Sequence, residues 1–193
     1  SAALGHFMNA GYYALLCFVV YKALLRVFPA NSNTIFWIAM LFAAHPLHTE
    51  VVANIKSRDE IFALLFAMLA LWKALDYQAE KSTKHLLMAL LAFAGALLSK
   101  ESAIVFLILI PLAMLLHANP KESKNYLVMF GALAVPTLAY LWLRNQVITV
   151  WVPPVDITNM YSKLANSLAP AEGLEKFGMA AYLVAKYFMM GIF

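Results

Sequence analysis

Long apolar runs separated by short polar clusters constrain this chain more than any other feature. A helix needs about 20 mostly apolar residues to cross roughly 30 Å of hydrocarbon at about 1.5 Å per residue. Apolar residues make up 64% of the 193 positions and charged residues only 12%, whereas soluble domains are about half apolar and a quarter charged. The pattern excludes a disordered chain, a nucleic-acid-binding module and an ordinary water-soluble domain. It predicts an integral, multi-pass membrane protein.

The polar clusters divide the chain into seven predicted spans and leave no room for a soluble domain. These spans lie near residues 7–28, 34–48, 59–75, 85–98, 102–116, 126–143 and 174–193. Three prolines interrupt the stretch 144–173, which is predicted to be an external loop. The predicted fold class is therefore all-α, a polytopic transmembrane helical bundle. Because the chain starts without Met and ends in an apolar run, we expect it to be a piece of a longer polypeptide.

Basic residues on one predicted face stand beside helix ends, in the company of histidines and acids, rather than on solvated turns. They include Lys56, Arg58, Lys100 and Arg144. Because inserting a charge into a membrane is costly, such cations need a partner. One interpretation is a bound anion, such as a phosphate or pyrophosphate head group. The other is that Lys56, Arg58 and Lys100 pair internally with Glu50, Asp59 and Glu101, and the two can hold together.

Two polar tetrapeptides, "SRDE" (57–60) and "SKES" (99–102), each precede an apolar run. Ser57 and Ser99 are plausible helix caps, and acids suit the positive end of a helix. The adjacent lysines and arginine do not suit that end. Two helix starts that offer backbone N–H groups together with a cation predict an anion-binding corner.

The densest polar segment, "HPLHTEVVANIKSRDE" (45–60), could also hold a metal. His45, His48 and Glu50 lie within six residues and could bind a divalent cation, although their spacing is not that of a known zinc motif. The favoured interpretation is that the histidines and Pro46 end a helix at the aqueous interface, with no metal bound.

This segment also carries a family resemblance. It resembles the "HP.HTE.V..I..R" stretch of the transmembrane-and-tetratricopeptide-repeat O-mannosyltransferases and their bacterial relatives, within the GT-C glycosyltransferase superfamily. The opening segment is similar through Gly5, His6, Asn9 and Tyr21, with Tyr13 where the family often has a second His. "KE" at 100–101 matches a further element. A later one is matched by Asn166, Leu168, Lys186 and Tyr187.

The resemblance implies a membrane glycosyltransferase that moves a sugar from a polyprenyl-phosphate donor to a hydroxyl of a protein or glycan acceptor. Transfer would invert the sugar carbon on the periplasmic or lumenal face. By this match Lys56, Arg58, Lys100 and Arg144 surround the donor phosphate. The residues that shape the site or orient the acceptor would be His45, His48, Glu50, Asp59 and Glu101.

The catalytic residue itself remains unknown, because the family's presumed base is an acid in an external loop that would lie upstream of Ser1. Further protein subunits or a C-terminal repeat domain are implied as partners, together with membrane lipids but no nucleic acid. A bacterial inner membrane is favoured over the endoplasmic reticulum because the turns are short.

Two other functions stay open. The chain could be a non-catalytic membrane scaffold that keeps the fold and docks a partner. A transporter of lipid-linked sugar is the third reading, although it would need polar residues at mid-membrane positions, where the predicted spans show few.

Overall fold

A computed structural model describes residues 2–117, 125–151 and 173–192. These residues are helical or lie in short turns, and none forms a β-strand. The α-helices are α1 (Ala2–Val27), α2 (Ser32–Ala44), α3 (His48–Ala53), α4 (Arg58–Glu80), α5 (Thr83–Ser99), α6 (Phe106–Leu116), α7 (Asn125–Trp151) and α8 (Gly173–Ile192). Short 3₁₀ helices cover Ile55–Ser57 and Glu101–Val105. The prediction of an all-helical chain is confirmed for this part of the protein.

Two of these helices are long and apolar enough to cross a membrane. They cover Ala3–Val27 in α1 and Asn125–Val147 in α7. Shorter apolar helices cover Ser32–Ala44, Thr83–Ser99, Glu101–Leu116 and Phe177–Met189. The described helices are consistent with a helical membrane fold, while the number of seven spans stays a prediction.

Several boundaries differ from those predicted. Helix α2 ends at Ala44, and α3 begins separately at His48. The residue before a proline disfavours the helical conformation, and His45 is extended. Helix α4 runs on to Glu80, beyond the predicted end at residue 75, and stops at Lys81 in the left-handed conformation. Helix α7 continues through Trp151 into the predicted external loop. Residues 152–172 of that loop lie outside the described part of the chain.

Contacts of α4 organise the first compact unit, which covers residues 1–144. This helix packs against α5 and α1. The α4–α5 core is rich in buried alanines, namely Ala63, Ala67, Ala70, Ala74, Ala89, Ala92 and Ala96. Small side chains let helix backbones approach closely, which is how helices associate where lipid removes the hydrophobic driving force.

The surface of the same unit is apolar to an extent that water-soluble proteins avoid. Large side chains with most of their area exposed occur on several helices, among them Phe7, Trp37, Leu41, Leu98 and Leu116. Contiguous exposed apolar surface marks a protein or membrane contact. Together with the two long apolar helices, this surface fits a bundle surrounded by lipid.

The C-terminal half of α4 carries an ion group that explains its unexpected length. Asp76 is only 4% exposed, and its two carboxylate oxygens lie 2.9 Å from an Arg26 nitrogen and 2.8 Å from Lys73 Nζ. Gln78 Nε2 donates to the Met114 carbonyl at 3.1 Å. Because these polar side chains find partners inside the bundle, the helix can continue beyond the apolar run. Helix α8, in the second unit (residues 145–193), is described by itself.

Candidate functional site

Arg58, which the sequence predicts at the donor phosphate, bonds to the start of α1. Its Nε donates to Asn9 Oδ1 at 2.6 Å and its Nη2 donates to the Gly5 carbonyl at 3.1 Å. The fully buried Asn9 also donates from Nδ2 to the carbonyls of Val52 (3.3 Å) and Asn54 (3.0 Å). We call these four bonds the Asn9–Arg58 clamp. The clamp ties α1 to the segment between α3 and α4.

Gly5 lies where this segment approaches α1. A Cβ atom there would lie 2.9 Å from Ile55 Cδ1 and 3.4 Å from Arg58 Nη2. The first distance is closer than real Cβ contacts allow, so a larger residue would displace the Ile55 side chain. The Arg58 guanidinium itself would be met only at ordinary contact distance.

Lys100 lies in extended conformation between α5 and the second 3₁₀ helix. Its Nζ is 2.5 Å from Glu60 Oε1 and 3.8 Å from Asp59 Oδ2. The side chain keeps 33% of its area exposed. Internal pairing of Lys100 with Asp59 is thus confirmed, and Glu60, which was not among the predicted partners, is the nearer acid.

The two helix starts predicted at 57–60 and 99–102 are present only in part. Helix α4 does begin at Arg58 with two acids in its first turn, but Ser57 makes no side-chain cap bond. Ser99 ends α5, and its Oγ donates back to the Gly95 carbonyl at 2.8 Å, so its prediction as a cap for the next helix is wrong. The element after Lys100 is a 3₁₀ helix of five residues.

The remaining predicted cations differ from one another. An Arg144 nitrogen lies 2.9 Å from Glu101 Oε2, and both side chains are exposed. Lys56 is exposed, and only its backbone N–H bonds, at 3.0 Å, to Asn54 Oδ1. Within the described ranges, neither Lys56 Nζ nor the exposed Glu50 carboxylate takes part in an ion pair.

The residues predicted for the site do gather at one end of the first unit. Contacts join the start of α1 to the residues before α4, and the start of α4 to the residue after α5. Since α1 and α4 begin where α2 and α5 end, the polar groups share one end of the bundle rather than being divided between its two ends. A shared anion-binding corner requires this arrangement.

His48 is held by its Nδ1 atom at the same end. That atom lies 2.7 Å from the Tyr13 hydroxyl and 2.8 Å from the Phe42 carbonyl oxygen. The Tyr13 hydroxyl also donates toward the carbonyls of Phe42 (3.2 Å) and Ala43 (3.1 Å). A histidine so placed has one ring nitrogen fixed by the protein, as in sites where the other nitrogen contacts a ligand.

Two cavities meet at the Tyr13–His48 pair. The first, of about 330 Å³, has Lys100, Glu60 and Ser102 among otherwise mainly apolar walls; we call it the Lys100 cavity. Its apolar lining includes Leu16, Phe42, Val51, Ile61, Ala63, Leu64, Ala103, Val105 and Phe106.

The second cavity, of about 450 Å³, is lined by His6, His45 and Thr49, and we call it the His6 cavity. Tyr13 and His48 line both cavities and form their common wall.

The alternative metal set does not assemble. The rings of His45 and His48 are 5.7 Å apart, and His45 Nδ1 accepts a hydrogen bond from the Leu47 N–H at 3.3 Å. Among the residues that the structure describes, no three His, Cys, Asp or Glu side chains come together as metal ligands. His45, His48 and Glu50 are therefore placed to line or flank a cavity and not to hold an ion jointly.

Comparison with known proteins identifies the chain. Residues 6–142 match the family described as dolichyl-phosphate-mannose-protein mannosyltransferase, which is more than half of the sequence. The chain belongs to this family. The predicted resemblance to O-mannosyltransferases of the GT-C superfamily is thereby confirmed.

Curated relatives of the chain are O-mannosyl-transferases from animals. It is 25% identical over 120 residues to Protein O-mannosyl-transferase Tmtc1 of Drosophila melanogaster, covering 62% of this chain and 14% of the relative. It is 28% identical over 130 residues to TMTC1 of Homo sapiens (62% and 15%) and 31% over 109 residues to TMTC1 of Mus musculus (51% and 12%). The chain thus spans a small part of these relatives' length. No solved structure matches it significantly.

The part that matches the mannosyltransferase family contains most of the site. It includes Asn9, His48 and Lys100 and ends shortly before Arg144. Sequence reasoning did not name Tyr13 and Glu60 as site residues, although both line the Lys100 cavity. The signal for Tyr13 was available, because it stands where family members often carry a second His.

Proposed function

We propose that this mannosyltransferase-family protein transfers a sugar, mannose by the family's name, from a polyprenyl phosphate to an acceptor hydroxyl on the periplasmic or lumenal face. The observation that carries the proposal is the Lys100 cavity. Its walls are mainly apolar, and its polar groups include an ammonium, a carboxylate and an imidazole. An apolar cavity with a cation at its edge suits a ligand whose phosphate is attached to an isoprenoid chain.

In the proposed reaction the acceptor oxygen forms a bond to the anomeric carbon as the bond from that carbon to the phosphate oxygen breaks. The electron pair leaves with the phosphate, and the acceptor proton passes to a carboxylate, which the family resemblance places outside this chain. Lys100 would stabilise the charge that grows on the leaving phosphate. Its ammonium has three donors, so it can keep Glu60 as one partner and still bind a phosphate oxygen.

The other predicted phosphate ligands take different roles in this proposal. Lys56, whose ammonium forms no ion pair with the residues that the structure describes, would assist at the phosphate. Arg58, committed to the Asn9–Arg58 clamp, is proposed as a positioning residue that holds the Lys56 segment. Arg144 would act through Glu101, to which it is paired.

Replacing Lys100 with Ala tests the proposal. One charge-assisted hydrogen bond is worth about 1.5–3 kcal/mol, which corresponds to about 10- to 150-fold in rate or binding. Membranes containing the unaltered protein would first be assayed with a panel of polyprenyl-phosphate sugars to find the donor that it uses. With that donor, we expect the transfer rate of Lys100→Ala to be lower by this factor. Lys100→Arg should retain part of the transfer activity.

Lys84→Ala is the matched control, because Lys84 is exposed near the start of α5, at the opposite end of that helix. It should transfer normally. Equal activity of the Lys100→Ala and Lys84→Ala proteins would remove Lys100 from the site. If the unaltered protein is inactive with every donor, the non-catalytic scaffold is favoured. The pairing of Lys100 with Glu60 and of Arg144 with Glu101 also fits a scaffold.

A further inference from the structure

The hydrogen-bond partners of His48 determine which of its nitrogens can meet a ligand. A carbonyl oxygen only accepts hydrogen bonds, so the 2.8 Å contact with Phe42 O assigns the ring hydrogen to Nδ1. Tyr13 can accept from the same N–H while its own hydrogen goes to the Ala43 carbonyl, 3.1 Å away. In the neutral ring Nε2 then carries a lone pair, and no described residue bonds to it.

This ring lies where the two cavities meet. The Lys100 cavity holds the cation proposed for the phosphate, and the His6 cavity holds two further imidazoles and the Thr49 side chain. An inverting displacement needs the attacking oxygen and the leaving phosphate on opposite faces of the sugar carbon. If the phosphate binds at Lys100, the His6 cavity is the adjoining space from which we expect the acceptor hydroxyl to approach the sugar, because Tyr13 and His48 line both cavities.

We propose that His48 Nε2 accepts a hydrogen bond from the acceptor hydroxyl in the His6 cavity, and that Tyr13 is a positioning residue that holds the orientation of the ring, whose tautomer the Phe42 carbonyl sets. This inference rests on the proposed function, and it assigns the His6 cavity to the acceptor and the Lys100 cavity to the donor. In this proposal His48 orients the acceptor hydroxyl but is not the base. The hydroxyl proton goes to the carboxylate named under the proposed reaction.

Steady-state kinetics with the donor and acceptor varied separately test the assignment. For His48→Ala we expect the acceptor KM to rise about 5- to 150-fold, the range for an unmade buried hydrogen bond of about 1–3 kcal/mol, with the donor KM unchanged. His48→Gln should recover part of the effect, because its amide oxygen can accept near the position of Nε2. Tyr13→Phe should raise the acceptor KM several-fold.

Tyr12→Phe is the matched control. Tyr12 is the neighbouring residue on α1 and packs against Phe62, with ring centroids 4.8 Å apart, outside the linings of both cavities. Its kinetics should equal those of the unaltered protein. Because Tyr13→Phe removes only a hydroxyl, it keeps the test decisive if the His48 variants do not fold.

Binding of sugar-free polyprenyl phosphate, measured by competition with a photoreactive analogue, separates the two proposals. His48→Ala should retain this binding and Lys100→Ala should lose it. Unchanged acceptor KM in His48→Ala and Tyr13→Phe, or an equal rise in donor KM, overturns the His48 assignment while the proposed function stands. Lack of any transfer by the unaltered protein overturns both.

Discussion

The Asn9–Arg58 clamp predicts that an uncharged residue on α1 is as important for activity as the arginine that it holds. Asn9→Ala removes three bonds: two donated to the carbonyls of Val52 and Asn54, and one accepted from Arg58. A neutral bond contributes about 1 kcal/mol and one to a charged group about 1.5–3 kcal/mol. Water can replace part of the bonding at the partly exposed carbonyls, so we expect a net loss of about 3 kcal/mol in the free energy of unfolding.

A double-mutant cycle measures the shared bond. Unfolding of Asn9→Ala, Arg58→Ala and the double variant would be followed in detergent micelles, and the coupling energy should be about 1.5–3 kcal/mol because the two singles remove the same Nε–Oδ1 contact. Transfer activity would be measured in parallel. If Arg58 acts by position, both single variants should lose activity to a similar degree, and Arg58→Lys should not restore it, because a lysine cannot reproduce the two guanidinium bonds.

Asn54→Ala serves as the control, since that exposed side chain accepts one bond, from the Lys56 N–H. It should cost no more than about 1 kcal/mol. Additive losses in the cycle, with a coupling below about 0.5 kcal/mol, would show that the clamp does not carry the stability assigned to it. If Asn9→Ala is fully active and Arg58→Ala is inactive, Arg58 does not act by position, and its predicted role as a phosphate ligand is supported.

Two further predictions concern the bundle. Ala67→Leu, at a fully buried position of the core cluster that includes α4 and α5, should lower stability by about 1–3 kcal/mol through overpacking. Ala79→Leu, exposed on the same helix, should not, and equal unfolding curves for the two variants would refute close packing around α4. Asp76→Asn should cost about 1.5–3 kcal/mol, because it removes the charge that Arg26 and Lys73 both contact; a shift of the thermal midpoint within error would mean that the group is dispensable.

The sequence predicted what depends on composition and local pattern. Apolar runs indicated helices, and the acids at 59–60 indicated the start of α4; both features are present. Pro46 indicated a helix end, but the predicted span 34–48 ran past it, whereas α2 ends at Ala44. These signals are local, because helix formation and its termination are decided over a few residues.

Long-range pairing could not be predicted in the same way. Arg58 has an acid directly after it in the sequence, yet its side chain bonds to Asn9, 49 positions away. The extension of α4 beyond residue 75 likewise depends on Arg26 and Met114, residues of other helices that receive its polar side chains. Such partners follow from the tertiary arrangement, and neither spacing nor hydropathy within one segment identifies them.

Arg58 and Lys100 differ in how strongly the protein holds their side chains, and this difference indicates which of the two cations a phosphate can engage. Arg58 bonds to a side chain with no exposed area, so turning it toward a ligand would leave the buried Asn9 oxygen without a partner, at a cost of about 1–3 kcal/mol. Lys100 pairs with Glu60 and Asp59, whose side chains are about half exposed, and pairs of this kind contribute only about 0–1 kcal/mol. The two acids also lie in the first turn of α4, where the helix dipole stabilises them without the lysine. An arriving phosphate therefore competes only with a weak pair for Lys100, which can keep Glu60 as one partner, whereas at Arg58 it would have to break the bond to Asn9.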